Sequence, residues 1–177
     1  QILNMSASTL SVQRQMVIVG LNPALQRTVT LTSGLQVGSV NRGAAVEVGI
    51  GGKGQNCMVA AISMEVAPSA LLLQFLGDGS EGDQLAHLLR QKSARIHAEE
   101  LTIRTEKPCR TAFTLVDENG ATEIVEPSGF ISEFEIAKLL VSLEDKFSSN
   151  KAAGVACLGS MPPGFPHDFY SQILYKI

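Results

Sequence analysis

The sequence predicts an α/β domain, an open and mostly parallel sheet with a smaller β element standing off it. Three observations carry this. Three largely apolar runs, Met16–Leu21, Ala70–Leu76 (interrupted by Gln74) and Ala153–Leu158, have the length and composition of strands buried on both faces. Segments of helical period follow them. Between the second and third runs lie strand-like segments that break the alternation, chief among them a hairpin pattern around Asn119-Gly120.

In chain order, Asn22-Pro23 ends the first run. Thr28–Leu31 and Ala44–Val48 are short strand candidates, separated by a loop with Gly34, Gly38 and Gly43. A helix is expected from about Gly54 to Val66, with Pro68 closing it. After the second run, Gly77-Asp-Gly-Ser-Glu-Gly82 reads as a turn. Asp83–Lys92 then reads as an amphipathic helix with Leu85, Leu88 and Leu89 on one face. Thr111–Val116 and Ala121–Val125 pair through Asp117-Glu-Asn-Gly120, because Asn-Gly favours positive φ. Ser132 is expected to cap a helix reaching about Lys146, and Ser132-Glu-Phe-Glu135 loosely resembles a capping box. Gly159-Ser-Met-Pro-Pro-Gly164 follows the third run, and a last helix begins near Asp168. The turns after residues 22, 76 and 158 fall at strand ends, where ligands of such sheets collect.

Composition narrows the function classes. The 177 residues are 45% hydrophobic and 18% charged, enough for one domain with a sizeable core. A formal net charge of −3 and the absence of Trp give no case for a nucleic-acid partner. No apolar run nears the roughly 18 residues of a membrane span, so no membrane partner is expected. Cys57, Cys109 and Cys157 are odd in number and widely spaced, and His87, His97 and His167 lack ligand spacing. Buried or semi-buried thiols in a reducing compartment are expected, with no disulfide framework and no metal site. Residues 1–15 are rich in Ser, Thr and Gln, and no acidic residue precedes Glu47. Two readings stand, a flexible N-terminal segment and the tail of an organelle transit peptide. A cytoplasmic location is expected, with a plastid or mitochondrion as the alternative. The chain opens on Gln1 and ends at Ile177 inside a helical pattern, so both ends read as cut.

One stretch stands out chemically. Val48-Gly-Ile-Gly-Gly-Lys-Gly-Gln-Asn56 runs directly into a helical segment. Gly51, Gly52 and Gly54 let backbone N–H groups approach a ligand without Cβ clashes. At a helix start those donors and the positive end of the dipole face an anion. Lys53 adds a full charge, and Asn56 a donor and an acceptor suited to a sugar hydroxyl. The spacing matches neither the G-x-x-x-x-G-K-[ST] loop nor G-x-G-x-x-G. Arg110, just before the hairpin, suits a phosphate. Ser160 sits in a loop stiffened by Pro162 and Pro163. Asp78 and Asp83 near Gly77 read as solvated turn carboxylates rather than metal ligands.

Six stretches occur in an order that resembles the PfkB-type sugar kinases of the ribokinase superfamily. They are Leu21-Asn-Pro-Ala24, Gly51-Gly-Lys-Gly-Gln-Asn56, Leu76-Gly-Asp-Gly-Ser-Glu-Gly82, Cys109-Arg-Thr111, Thr122-Glu-Ile-Val-Glu-Pro127 and Gly159-Ser-Met-Pro-Pro-Gly164. The closest likeness is to the 1-phosphofructokinase and tagatose-6-phosphate kinase branch, over about Met16 to Tyr175. The resemblance implies a ribokinase-like three-layer α/β/α domain with a small β-sheet lid, its lid strands near 28–48 and 111–125. It implies ATP- and magnesium-dependent phosphoryl transfer to fructose 1-phosphate or a similar phosphosugar, and a possible homodimer through the lid. By analogy Gly51 and Gly52 lie beside the sugar, Lys53 and Asn56 contact the phosphosugar, Arg110 reaches its phosphate, and Ser160 lines the same pocket.

Two departures qualify that expectation. The family usually places Asp after L-N-P-A-x to hold sugar hydroxyls, and here Gln26 stands there. Its carbonyl still accepts, but without the charge that roughly doubles such a bond. The family's N-x-x-E segment, which organises magnesium, and its G-A-G-D segment, with the catalytic base, are both absent from these 177 residues. Residues 16–177 are therefore expected to be the N-terminal part of the kinase domain, incomplete at its C-terminus. Most of the ATP and magnesium site would lie in the other half. Inactivity of the chain alone is expected. The alternative is a non-catalytic sugar-phosphate-binding or regulatory module.

Overall fold

The computed structural model describes residues 15–65, 70–92, 96–97, 101–147 and 152–176. Pro68 and the N-terminal segment over residues 1–14 lie outside them. Nine strands, β1 (Gln15–Val19), β2 (Ala24–Leu31), β3 (Gly43–Gly51), β4 (Ala70–Gly77), β5 (Ile96–His97), β6 (Thr102–Thr105), β7 (Arg110–Asp117), β8 (Gly120–Val125) and β9 (Ala152–Cys157), form two sheets. Among the described residues four helices accompany them, α1 (Lys53–Ser63), α2 (Ser80–Lys92), α3 (Glu133–Phe147) and α4 (Phe169–Lys176).

The main sheet is parallel, in the order β5-β4-β1-β9, with β6 continuing beside the second half of β4. Apolar runs belong here because both faces of the sheet are covered. Val17, Val19, Leu71, Leu73 and Phe75 face α3 and α4. Ile18, Ala70, Leu72 and Leu76 face α1 and α2. This alternation is the three-layer arrangement read from the sequence. Among these side chains, truncating any one of the buried leucines, Ile18 or Phe75 to Ala costs about 2–5 kcal/mol, the loss being transfer energy plus the cavity left behind.

The second sheet has the order β3-β2-β7-β8, with β2–β7 parallel and both outer pairs antiparallel. Its hairpin turn is the one predicted. The Asp117 carboxylate accepts from the N–H groups of Asn119 (2.8 Å), Gly120 (3.0 Å) and, through its other oxygen, Leu35 (2.7 Å). The Leu35 bond is the largest reason that the Asp117 carboxyl titrates below its ordinary value.

Several boundaries differ from the sequence reading. β2 begins at Ala24 rather than Thr28 and β3 runs to Gly51 rather than Val48, so Gln26 and Gly51 are strand residues. β6 has no counterpart among the predicted strands. α2 begins at Ser80, inside the expected turn. The third apolar run is not buried on both faces: Ala153 and Gly154 are exposed and Val155 to Cys157 only half-buried. The reason is topological, since β9 pairs with β1 and with no other strand among the described residues. Ser132 and Glu135 form a full capping box. The Ser132 hydroxyl accepts from Glu135 N–H (3.3 Å), and the carboxylate accepts from Ser132 N–H (2.7 Å).

Candidate active site

The seven residues singled out in the sequence meet on one cavity of about 340 Å³ between the two sheets. From the main sheet come the turns after β1 (Gly20, Asn22) and β9 (Leu158 to Ser160). From the second sheet come Ala24, Gln26, Gly51, Arg110, Ala112, Glu123 and Val125, and from α1 Lys53 to Asn56. The turn after β4 does not line it. β1 has its two neighbours on opposite sides, so the cavity opens at the carboxyl ends of strands beside a switch in strand order, where such sheets bind ligands.

Gly52 is the N-cap of α1, with φ 110° and ψ 136°, and no side chain caps the helix. The first intrahelical bond runs from Asn56 N–H to Gly52 O at 2.9 Å. The N–H groups ahead of it have no partner within the helix. Lys53 and Asn56 are exposed in this first turn. Gly54, by contrast, is buried against the backbone of Gly20, with no room for a side chain at either position. The sequence reading gave Gly54 to ligand approach, and its closest neighbour is in fact β1's end.

Arg110 opens β7, and its guanidinium donates to the carbonyls of Asn22 (3.0 Å) and Pro23 (3.3 Å). These bonds aim the group without neutralising it. Neither Arg110 nor Lys53 pairs with a carboxylate among the described residues. Asn22 also donates to the Ser160 hydroxyl (3.2 Å) and accepts from the Ser128 hydroxyl (3.0 Å). One side chain thus ties together the loops after β1, β8 and β9. Phe75, Phe165 and Phe169 hold the last of these loops through edge-on contacts, with ring centroids 5.4 and 4.7 Å apart.

Four contributors were missed in the sequence. Asn22 stands in the sequence as a strand breaker and as part of Leu21-Asn-Pro-Ala24, with no site role given to it, although a side-chain amide at a strand's carboxyl end is itself a signal. Glu123 looked like an ordinary alternating strand residue. Thr114 accepts from Gln26 Nε2 at 2.6 Å. Gln55 is fully buried beneath the glycine turn, donating to Gly20 O (2.8 Å) and Gln74 Oε1 (3.0 Å), with its own carbonyl oxygen unpartnered. The cysteines stay out of the site. All three are free thiols, and burial pushes Cys109 up to about 11, far from a reactive thiolate. Asp83 pairs with Arg104 at 2.9 Å.

Comparison with known proteins agrees with the geometry. A Thermotoga maritima structure described as a possible 1-phosphofructokinase superposes with a TM-score of 0.80 at 24% identity, covering 92% of this chain and 50% of that one. Phosphofructokinase-2 from Escherichia coli superposes in its tetrameric inhibited form (TM-score 0.75, 22% identity, 92% and 51% covered). It also does so in complex with fructose-6-phosphate (TM-score 0.73, 21% identity, 92% and 50% covered). The chain spans about half the length of these structures. At such identities the likeness is one of fold. The model of the pfkB family carbohydrate kinases matches residues 16–175, nearly the whole chain. The chain belongs to the pfkB family of carbohydrate kinases.

Proposed function

We propose that the cavity is the acceptor site of a phosphosugar kinase and that the chain is the acceptor-binding part of its catalytic domain. The reaction is transfer of the γ-phosphoryl group of ATP to a hydroxyl of fructose 1-phosphate or a similar phosphosugar. One observation carries the reading: Lys53 and Arg110, two cations without carboxylate partners among the described residues, face one cavity together with the α1 N-terminus. A phosphate ester suits that set. Gln26, Asn56 and Ser160 then take sugar hydroxyls, and Gly51 and Gly52 let the sugar approach the backbone. The second sheet serves as a lid that keeps water from the transferring group.

ATP supplies the phosphoryl group and magnesium its charge compensation in this chemistry. Among the described residues no three His, Cys, Asp or Glu come together to hold a metal by protein ligands alone. We assign metal and nucleotide to other residues of the enzyme. The same observation favours a second reading, a sugar-phosphate-binding module without turnover. The lid sheet turns its other face away from the cavity, and there Val46 is 61% and Ile124 56% exposed. A second copy of the chain is a natural cover, giving a homodimer through the lid. No helix among the described residues is long and apolar enough to cross a membrane.

Titration calorimetry tests the reading. Fructose 1-phosphate binds saturably, and Arg110→Ala weakens it about tenfold to hundredfold, the usual worth of a charge-assisted contact. Failure of the chain to bind any hexose phosphate overturns the reading. Turnover with ATP and magnesium separates the kinase from the module.

A further inference from the structure

The lid wall of the cavity carries one carboxylate with no role in the reading above. Glu123 lies on β8 and lines the cavity. Its placement follows from register. Gln26 pairs with Ala112 across β2–β7, and Thr114 pairs with Glu123 across β7–β8. These four side chains therefore project from one face of the sheet, the cavity face. There the Gln26 amide donates to the Thr114 hydroxyl at 2.6 Å. That bond engages the donor end of the amide. The carbonyl oxygen is left toward Gly51, 3.3 Å from where a Cβ would stand. Gln26 thus offers an uncharged acceptor, and Glu123, two strands away, a charged one. Glu123 makes no ion pair among the described residues, so it does not neutralise Lys53 or Arg110.

We propose that Glu123 is the specificity-determining residue of the lid, accepting hydrogen bonds from hydroxyls of a polyol phosphate whose phosphate lies at Lys53 and Arg110. The proposal rests on the phosphosugar reading of the cavity. The two cations attract any small anion and give no choice between inorganic phosphate and its sugar esters. Glu123, on the same sheet as Arg110 but beside Thr114, four residues further along β7, repels a bare anion and favours a ligand whose far end carries O–H donors. The charge that position 26 lacks is supplied from β8.

The test is a titration of the 177-residue chain and its Glu123→Gln variant with fructose 1-phosphate, fructose 6-phosphate, tagatose 6-phosphate and inorganic phosphate. Glu123 is exposed on its strand, so the amide preserves the fold. The sugar phosphate that the parent chain binds most tightly loses about tenfold to hundredfold affinity in the variant. Inorganic phosphate keeps its affinity or gains. Unchanged sugar-phosphate affinity, or an equal loss for inorganic phosphate, overturns the role of Glu123 and leaves the phosphosugar reading standing. A parent chain that binds none of the three sugar phosphates overturns both.

Discussion

Gly52→Ala should be strongly destabilising, and the structure gives the reason in two parts. The backbone at φ 110°, ψ 136° is one that L-residues rarely adopt. Forcing alanine into it costs about 1–3 kcal/mol. The new Cβ would also fall on the Gln55 side-chain oxygen and stand 3.1 Å from Pro23 Cα. Gln55 cannot withdraw freely, because it is fully buried and its amide is bonded to Gly20 and Gln74. Leaving such a buried polar group unpaired adds about 1–3 kcal/mol. The sum is about 2–6 kcal/mol. With a urea m-value of about 1–3 kcal/mol/M, the unfolding midpoint falls by on the order of 2 M. On a Gln55→Ala background the collision is gone, and the same substitution costs only the backbone share. A Gly52→Ala loss below about 0.5 kcal/mol, or equal losses on both backgrounds, refutes this account.

The other predictions are shorter. Gln26→Asp places a charge beside the Thr114 hydroxyl and tightens fructose 1-phosphate binding several-fold by calorimetry; no change sinks the idea that position 26 tunes sugar affinity. Burial raises the Glu135 carboxyl, but bonds from the backbone and hydroxyl of Ser132 and the backbone of Glu106 outweigh it and hold the pKa below the usual glutamate value. Its stabilisation is therefore complete above a pH of about 4.3 and is lost as pH falls through the lowered folded value. In acid titrations of stability, Glu135→Gln flattens the slope over that window. An unchanged slope counts against the capping box as a contributor.

Much of this was legible in the sequence because local physics and global fold agree. Met16–Leu21 and, apart from Gln74, Ala70–Leu76 are apolar on both faces, and the sheet buries them on both faces. The turn falls at Asp117-Glu-Asn-Gly120 as expected, with Gly120 at φ 141°, but its two loop residues are Glu118 and Asn119 and neither has positive φ. The seven site residues share a cavity because their stretches all lie at strand ends or helix starts. Ala153–Leu158 defeated the same logic: its composition is that of a central strand, while burial depends on neighbours no local pattern encodes. Thr102–Thr105 was missed because four residues with two threonines and an arginine lack a strand's apolar signature, and pairing with β4 decides them. Gln55 hid inside a motif whose glycines drew attention. A polar residue's partners, here Gly20 and Gln74, are distant in the chain.

The central claim is that one cavity between the two sheets holds a phosphosugar. Amide shift mapping on the isotope-labelled chain during titration with fructose 1-phosphate tests it most directly. The account predicts saturable shifts concentrated at Gly51, Gly52, Lys53, Asn56, Arg110 and Ser160, absent with unphosphorylated fructose. Shifts that appear equally with fructose, or that cluster away from these residues, would contradict it.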